Sequence, residues 1–378
     1  MKHTRSGRIL PLLLAVALVF TLAACTPLEG VLGRLTGGKF VDDEPYAGYK
    51  LEKYVKLGEY KGVEGDFVTV DEYLDLYMQD VFAQYGAAKG IVDDPAKTEV
   101  AEGDLVFFDF EGSAPGVSEA AREGMKGKAL LVIGSGQFLP AYLDAEGKEL
   151  KRGFEDQMVG QPRDKEFAVD VRFPDQYHQE ELAGKDVIFQ CTVHKIGAAS
   201  EEITDEGVDV LTNGEFATAE AFRAMLAEDM GDPAKTVADY NGNLAFEAAY
   251  ANAEILKLPA REQDYWDGQL EKSASRQGMD VDDYATQSGY QSAAEYRDKQ
   301  VSRELFVFAV AQKEGITVSE EDVQGLLAEI RTNGYEGTDA ELYSEFGGKG
   351  YLLRHLMSKN VTDFILANAK GVPAAAAE

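Results

Sequence analysis

Histidine and cysteine, the side chains that most often ligate zinc, number four and two in this 378-residue chain. His3, His178, His194 and His355 are scattered, in no spacing that a metal site uses. Cys25 and Cys191 are too few for a disulfide framework, a paired-cysteine metal motif or a redox motif. No Gly-x-Ser-x-Gly elbow, phosphate loop or dinucleotide fingerprint occurs, and Gly134-Ser135-Gly136 reads as a glycine-rich turn. Carboxylates abound, 67 against 37 Lys and Arg for a formal net charge of −30, so nearly all must be solvated surface. Hydrolysis, metal chemistry and a resident cofactor therefore find no support. A surface so acidic repels phosphate backbones, which argues against nucleic acid or the ribosome as partners.

The first residues set the expected compartment. Lys2, Arg5 and Arg8 precede an uncharged apolar run from Ile9 to Leu22, short for a membrane span but the length of a signal-peptide core. The run ends in Leu22-Ala23-Ala24-Cys25, which resembles the lipobox of bacterial lipoproteins. That resemblance implies removal of residues 1–24, acylation of Cys25 and attachment to a membrane surface. Cys191 sits in an apolar, strand-like run and is expected to be a small core residue. No second stretch is long and apolar enough to span a bilayer.

The elements that must position any chemistry fall into blocks. Residues 25–52 read as a lipid-anchored tether, and residues 53–95 as a linker with an amphipathic helix between Val68 and Ala88. Val70, Tyr73, Leu74, Tyr77, Val81, Phe82 and Tyr85 form its apolar stripe, and Asp93-Asp94-Pro95 breaks the pattern. Residues 96–198 are β-rich, with strands expected at Leu105–Phe110, Ala129–Ile133, Glu166–Val171 and Asp186–Val193 and a short helix near Phe154–Val159. Residues 199–371 keep a helical period, with capping-box patterns at Ser292/Glu295 and Ser319/Asp322. Residues 372–378 are a tail. The expected fold is α+β, an antiparallel sheet domain with one short helix joined to an all-α domain.

Five stretches within 103–197 resemble, in order, the FKBP-type prolyl isomerase domain of trigger factor. They are Gly103-Asp104-Leu105-Val106-Phe107-Phe108-Asp109-Phe110-Glu111-Gly112, Val132-Ile133-Gly134-Ser135-Gly136-Gln137-Phe138-Leu139-Pro140, Gly153-Phe154-Glu155-Asp156-Gln157-Met158-Val159-Gly160, Phe173-Pro174-Asp175-Gln176-Tyr177-His178 and Leu182-Ala183-Gly184-Lys185. Ile255-Leu256-Lys257-Leu258-Pro259, Arg276-Gln277-Gly278-Met279-Asp280, the Glu304–Glu314 helix with Gly315-Ile316-Thr317-Val318, and Val361–Lys370 are similar to that family's helical arms. Lys56-Leu57-Gly58-Glu59-Tyr60-Lys61-Gly62 is similar to what precedes its isomerase domain, so the likeness runs over roughly residues 53–371. Three departures stand out. The signal segment and tether replace the family's ribosome-docking domain, residues Ala141–Arg152 interrupt the continuity between Pro140 and Gly153, and the family's Phe-acidic-Gly-Gly stretch is degraded around Ala120–Lys126, where Met125 takes the aromatic position.

The chemistry implied by the resemblance is isomerisation of X-Pro bonds, whose barrier of about 18–20 kcal/mol reflects partial double-bond character. An apolar cup that holds the twisted amide better than the planar one is sufficient, because only differential binding accelerates the step. The resemblance makes Phe110, Phe138, Leu139, Phe154, Tyr177 and Phe189 the pocket walls, with Phe154 as floor. Tyr177 would offer its hydroxyl to a substrate carbonyl and the Leu139 amide would donate to another. For Phe110, Phe154 and Phe189 the alternative is that they are simply core of a small β domain. Tyr265, Trp266, Tyr284, Tyr290 and Phe306 could either line a cradle for unfolded chains or pack the helices. The expectation is an extracytoplasmic folding factor acting on unfolded exported proteins. A chaperone whose isomerase domain only binds peptide, and a lipoprotein module for adhesion or substrate binding, are the alternatives.

Overall fold

The computed structural model describes residues 45–346 and 348–373; the signal segment, the lipobox with Cys25 and most of the tether lie outside these. In chain order the elements are β1 (Val55–Lys56), α1 (Val70–Gln84), β2 (Ile91–Asp93), β3 (Leu105–Ser113), α2 (Glu119–Glu123), β4 (Lys126–Val132), β5 (Tyr142–Leu143), β6 (Glu149–Lys151), α3 (Phe154–Met158), β7 (Glu166–Arg172) and β8 (Asp186–Ala199). There follow α4 (Asp205–Leu211), α5 (Ala219–Asp229), α6 (Pro233–Ala251), β9 (Glu254–Ile255), α7 (Ala260–Arg276), α8 (Val281–Gln287), α9 (Ala293–Glu314), α10 (Glu320–Thr332), α11 (Asp339–Glu345) and α12 (Lys349–Ala367). These form two compact units. Of the described residues, one unit is Asp71–Pro233 and the other joins residues 45–70 to those from Ala234 on.

The first unit is built on an antiparallel sheet in the order β2-β8-β3-β4, with β7 also on β8. Strand β3 runs along one edge of β8, and β7 and β2 share the other. Side chains alternate as the pleat requires. Val106 and Phe108 of β3, Val169 and Val171 of β7, and Val187, Phe189, Cys191 and Val193 of β8 enter one core, as Leu131 of β4 does. Leu105 and Phe107 face the other way, against Ile91 and Val210. Both faces are covered, which is why Leu105–Phe108 reads as an unbroken apolar run.

That second face explains where the helical period misled. Helix α4 lies against β4 and brings Val210 to the back of the sheet. Gly207 approaches so closely that a β-carbon there would stand 2.0 Å from the Lys89 carbonyl oxygen. Residues 199–233, assigned by period to the helical domain, therefore sit in the sheet unit. Strand β2, where Asp93 begins the helix-breaking run, pairs with the end of β8 from Ile91↔Ala199 to Asp93↔Gly197.

The second unit is helical around α9. Val301, Leu305, Phe306 and Val310 are fully buried there, and the helix ends at Gly315 in the left-handed conformation, φ 69°. A two-residue pair, β1 with β9, is the exception to an all-α unit. Residues 45–52, read from composition as tether, belong instead to this core. Tyr46 stacks on Phe308 at 4.6 Å, and Leu51 is buried with Val55, Tyr60 and Val63. Tethers keep polar residues; these aromatic and aliphatic ones gain by burial. Phe306 and Tyr284 are buried, Trp266 packs against the main core, and Tyr265 lies under the Arg354 guanidinium at 4.1 Å, so these ring positions are structural.

One ionic cluster is sealed inside this unit. Arg354 donates to Glu262 at 2.6 Å and also to Glu304, and the Tyr46 hydroxyl donates to Glu304 at 3.1 Å. The side chains of Arg354 and Glu262 are 3% and 0% exposed. Burial raises the Glu304 carboxyl, against the pull of Arg354.

Candidate functional site

Four of the six expected pocket residues converge by ring contact. Phe154 opens α3 and is 1% exposed, with ring centroids 4.8 Å from Phe138, 5.5 Å from Phe189 and 6.0 Å from Phe108. Phe110 meets Phe189 at 6.0 Å and Phe138 at 6.1 Å, both edge to face. These separations suit the aromatic quadrupole. Phe154, Phe108 and Phe189 are buried, whereas Phe110, Phe138, Leu139 and Tyr177 are half-buried against the same core. The result is an apolar patch with a solid floor and an exposed rim.

Strand geometry fixes two of the walls. Phe110 and Phe189 project from β3 and β8 on the same face, where Gly112 stands opposite Phe189. A β-carbon at Gly112 would lie 2.7 Å from the Phe189 ring edge and 2.8 Å from the Met125 β-carbon. Only glycine leaves room for both. Met125 is buried here, and its carbonyl accepts the Gly112 amide at 2.8 Å.

The residue that sequence reasoning missed is Glu155. Its buried carboxylate accepts the amides of Gly134 at 2.8 Å, Gly136 at 3.0 Å and Phe138 at 3.0 Å. Burial alone would raise this group, but the Phe138, Gly136 and Gly134 amides together hold it below the usual carboxylate range. The glycine-rich turn is thus a loop wrapped around an anion, and Phe138 and Leu139 are its last residues. Gly134 and Gly136 take φ +91° and +73°, which suits glycine. A signal did exist: a carboxylate beside an apolar helix start, downstream of a Gly-x-Gly with amides to satisfy.

Leu139 and Phe154 are joined directly, the Phe154 amide donating to the Leu139 carbonyl at 2.8 Å. The Leu139 amide itself engages no acceptor among the described residues. Tyr177 stands apart from the four phenylalanines. Its ring packs on Phe173 at 4.6 Å and His178 at 4.2 Å, in a turn tied down by the Ser118 hydroxyl donating to Glu181 at 2.7 Å. Its hydroxyl has no hydrogen-bond partner among the described residues. Cys191 is a buried core thiol, its pKa pushed up to about 12 by burial.

The arrangement offers apolar surface and two unengaged donors, the Leu139 amide and the Tyr177 hydroxyl, and among the described residues no nucleophile or acid–base pair faces it. Comparison with known proteins bears on this directly. A model of the FKBP-type peptidyl-prolyl cis-trans isomerase family matches residues 96–194, and one of the bacterial trigger factor C-terminus matches residues 218–367. Trigger factor of Bacillus cytotoxicus is 32% identical over 332 residues, covering 84% of this chain and 73% of its own. The chain belongs to the trigger factor family. The trigger factors of Lysinibacillus sphaericus and Bacillus subtilis are each 31% identical, over 83% of this chain and 72% and 73% of theirs. A solved structure of the trigger factor chaperone aligns over 83% of the chain at 18% identity with a TM-score of 0.28, too loose for geometric comparison. The family unites chaperone and prolyl isomerase functions, and this trigger-factor-family chain has both matched parts.

Proposed function

We propose that this chain is an extracytoplasmic folding factor, held to the membrane by acylated Cys25, that isomerises X-Pro bonds and holds unfolded exported proteins. The observation that carries the isomerase reading is the buried Phe154 floor beneath half-exposed Phe110 and Phe138, with an unengaged Leu139 amide at the rim. A prolyl ring set on that floor leaves water behind. The Leu139 amide and the Tyr177 hydroxyl then donate to substrate carbonyls, holding the flanking chain while the amide twists. Each 1.36 kcal/mol by which the site favours the twisted over the planar amide gives about tenfold in rate. The helical unit supplies the holding function, and the net charge of −30 argues against a ribosomal station.

A second reading, peptide binding without turnover, is favoured by Met125, which occupies the family's aromatic position and is buried under Gly112. Proline-limited refolding with residues 26–378 separates the two. Acceleration that falls at least tenfold in Phe154→Ala and Tyr177→Ala supports catalysis. No acceleration with suppressed client aggregation supports holding alone, and neither activity overturns the foldase reading. Because removing a buried Phe ring costs about 3–5 kcal/mol, Phe154→Leu and a circular dichroism spectrum accompany the series.

A further inference from the structure

The segment that interrupts family continuity, Ala141–Arg152, folds as a hairpin of β5 and β6, paired Tyr142↔Lys151 and Leu143↔Glu149 with a register shift that leaves Leu150 extra. Its tip is closed by the Asp144 carboxylate accepting the Glu146 and Lys148 amides at 3.1 and 2.8 Å. Its two roots meet in the aromatic patch, where the Phe154 amide bonds the Leu139 carbonyl.

The hairpin is braced on one side only. Lys151 donates to Asp170 and reaches Asp186 at 3.2 Å, and the Arg172 guanidinium covers the Tyr142 ring at 4.9 Å. Tyr142 and Lys151 are paired and share that side. Leu143, next along the strand, turns to the other side, and so does the bulge opposite it, Glu149 and Leu150. Leu143 is 50% and Leu150 54% exposed. Two leucines are thus held out by an anchored hairpin beside the patch.

We propose that this hairpin is a client-gripping arm of the isomerase site. Leu143 and Leu150 take apolar side chains of the unfolded client about three or four residues from the proline being turned. That distance follows from the roots: at about 3.4 Å per residue, Leu143 stands no more than ~14 Å from Leu139. The inference rests on the isomerase reading above. Within a chain of net charge −30, residues 141–152 carry Asp144, Glu146 and Glu149 against Lys148, Lys151 and Arg152. The hairpin is neutral, so it recognises apolar segments by burial and has no charge to draw it to an anionic bilayer. Two leucines are also far short of the roughly 1,200 Å² that a stable dimer buries. Bracing lowers the entropy lost on binding.

The test uses the full chain with Cys25→Ser, compared with the same chain carrying Leu143→Ser and Leu150→Ser. Substrates are a reduced, carboxymethylated ribonuclease with proline-limited refolding and an X-Pro tetrapeptide too short to reach the hairpin. The expected result is a five- to tenfold loss of kcat/KM on the ribonuclease, carried by KM, with the tetrapeptide unchanged and activity restored by Leu143→Ile with Leu150→Ile. Equal rates on the ribonuclease, or equal losses on both substrates, overturn the proposal. So does a change confined to sedimentation as a dimer or to pelleting with phosphatidylglycerol vesicles. If the parent accelerates neither substrate, the isomerase reading fails by itself. The arm is then judged by affinity for the unfolded ribonuclease, where a five-fold weakening supports it and an unchanged Kd ends it.

Discussion

The Glu155 carboxylate accepts the Phe138 amide at 3.0 Å, so the residue after the patch's floor fixes the loop that carries its rim. Glu155→Gln keeps the shape but loses the charge-assisted bonds, and should cost about 1–3 kcal/mol at pH 7. The carboxyl is depressed when folded, so its stabilisation is present above the ordinary value of 4.5 and is lost as pH falls through the depressed one. Urea midpoints of the parent should therefore drop on acidification below about pH 5, more steeply than those of Glu155→Gln. Parallel curves would contradict the assignment.

Gly112→Ala places a methyl against Phe189 and Met125, both buried in the sheet core. Overpacking of this kind costs about 1–3 kcal/mol. A lowered Tm with reduced isomerase activity is expected, because the Phe189 wall must shift. Calorimetry and the refolding assay on one preparation check it.

In the helical unit, Arg354 pairs with two carboxylates, Glu262 fully buried and Glu304 12% exposed. Arg354→Met should destabilise that unit by about 3–5 kcal/mol at neutral pH. Glu304 is raised when folded, so its contribution is fully present below the ordinary value and is lost as pH rises through the folded one. The deficit of Arg354→Met should accordingly shrink between pH 7 and about pH 5, as Glu304 takes up a proton. Denaturant titrations at the two pH values decide this.

Tyr177→Phe removes only the hydroxyl that the proposed mechanism sets on a substrate carbonyl. Since the ring stays packed on Phe173, kcat should fall about tenfold with stability unchanged, and an undiminished kcat would remove Tyr177 from the site.

Cys25→Ser deletes the proposed acyl acceptor. In fractionated cells the parent is expected to pellet with membranes until detergent is added, and the variant to remain soluble or secreted. A parent that never pellets would overturn the anchor.

The sheet was legible because strands such as Glu166–Arg172 alternate, and the last helix because Leu352, Leu356, Val361 and Ile365 repeat at helical spacing. Ile91–Asp93 was not, since three residues carry no period and the strand exists only because the end of β8 offers a free edge. Helix α4 was mislaid because its period says helix but not which neighbour Val210 covers. At Ser292 the capping box forms only in part: Ser292 accepts the Glu295 amide, but Glu295 reaches back to the Gln291 amide rather than to the cap. At the patch, phenylalanines were visible from the resemblance. The anion holding their loop was hidden in a partnership that only folding creates.

The helical unit is discontinuous, with the sheet unit threaded into it between residues 70 and 234. During delivery of the chain this order has a kinetic consequence. Tyr46, Leu51 and Val55 emerge first, yet their partners on α9 arrive some 250 residues later, as the Tyr46–Glu304 bond across 258 positions illustrates. The sheet unit can close once Ala199 is free to pair with Ile91, well before the outer unit has its central helix. Its folding shortens the effective loop that the outer unit must close, so a chain that assists other proteins relies on its own insert to bring its ends together.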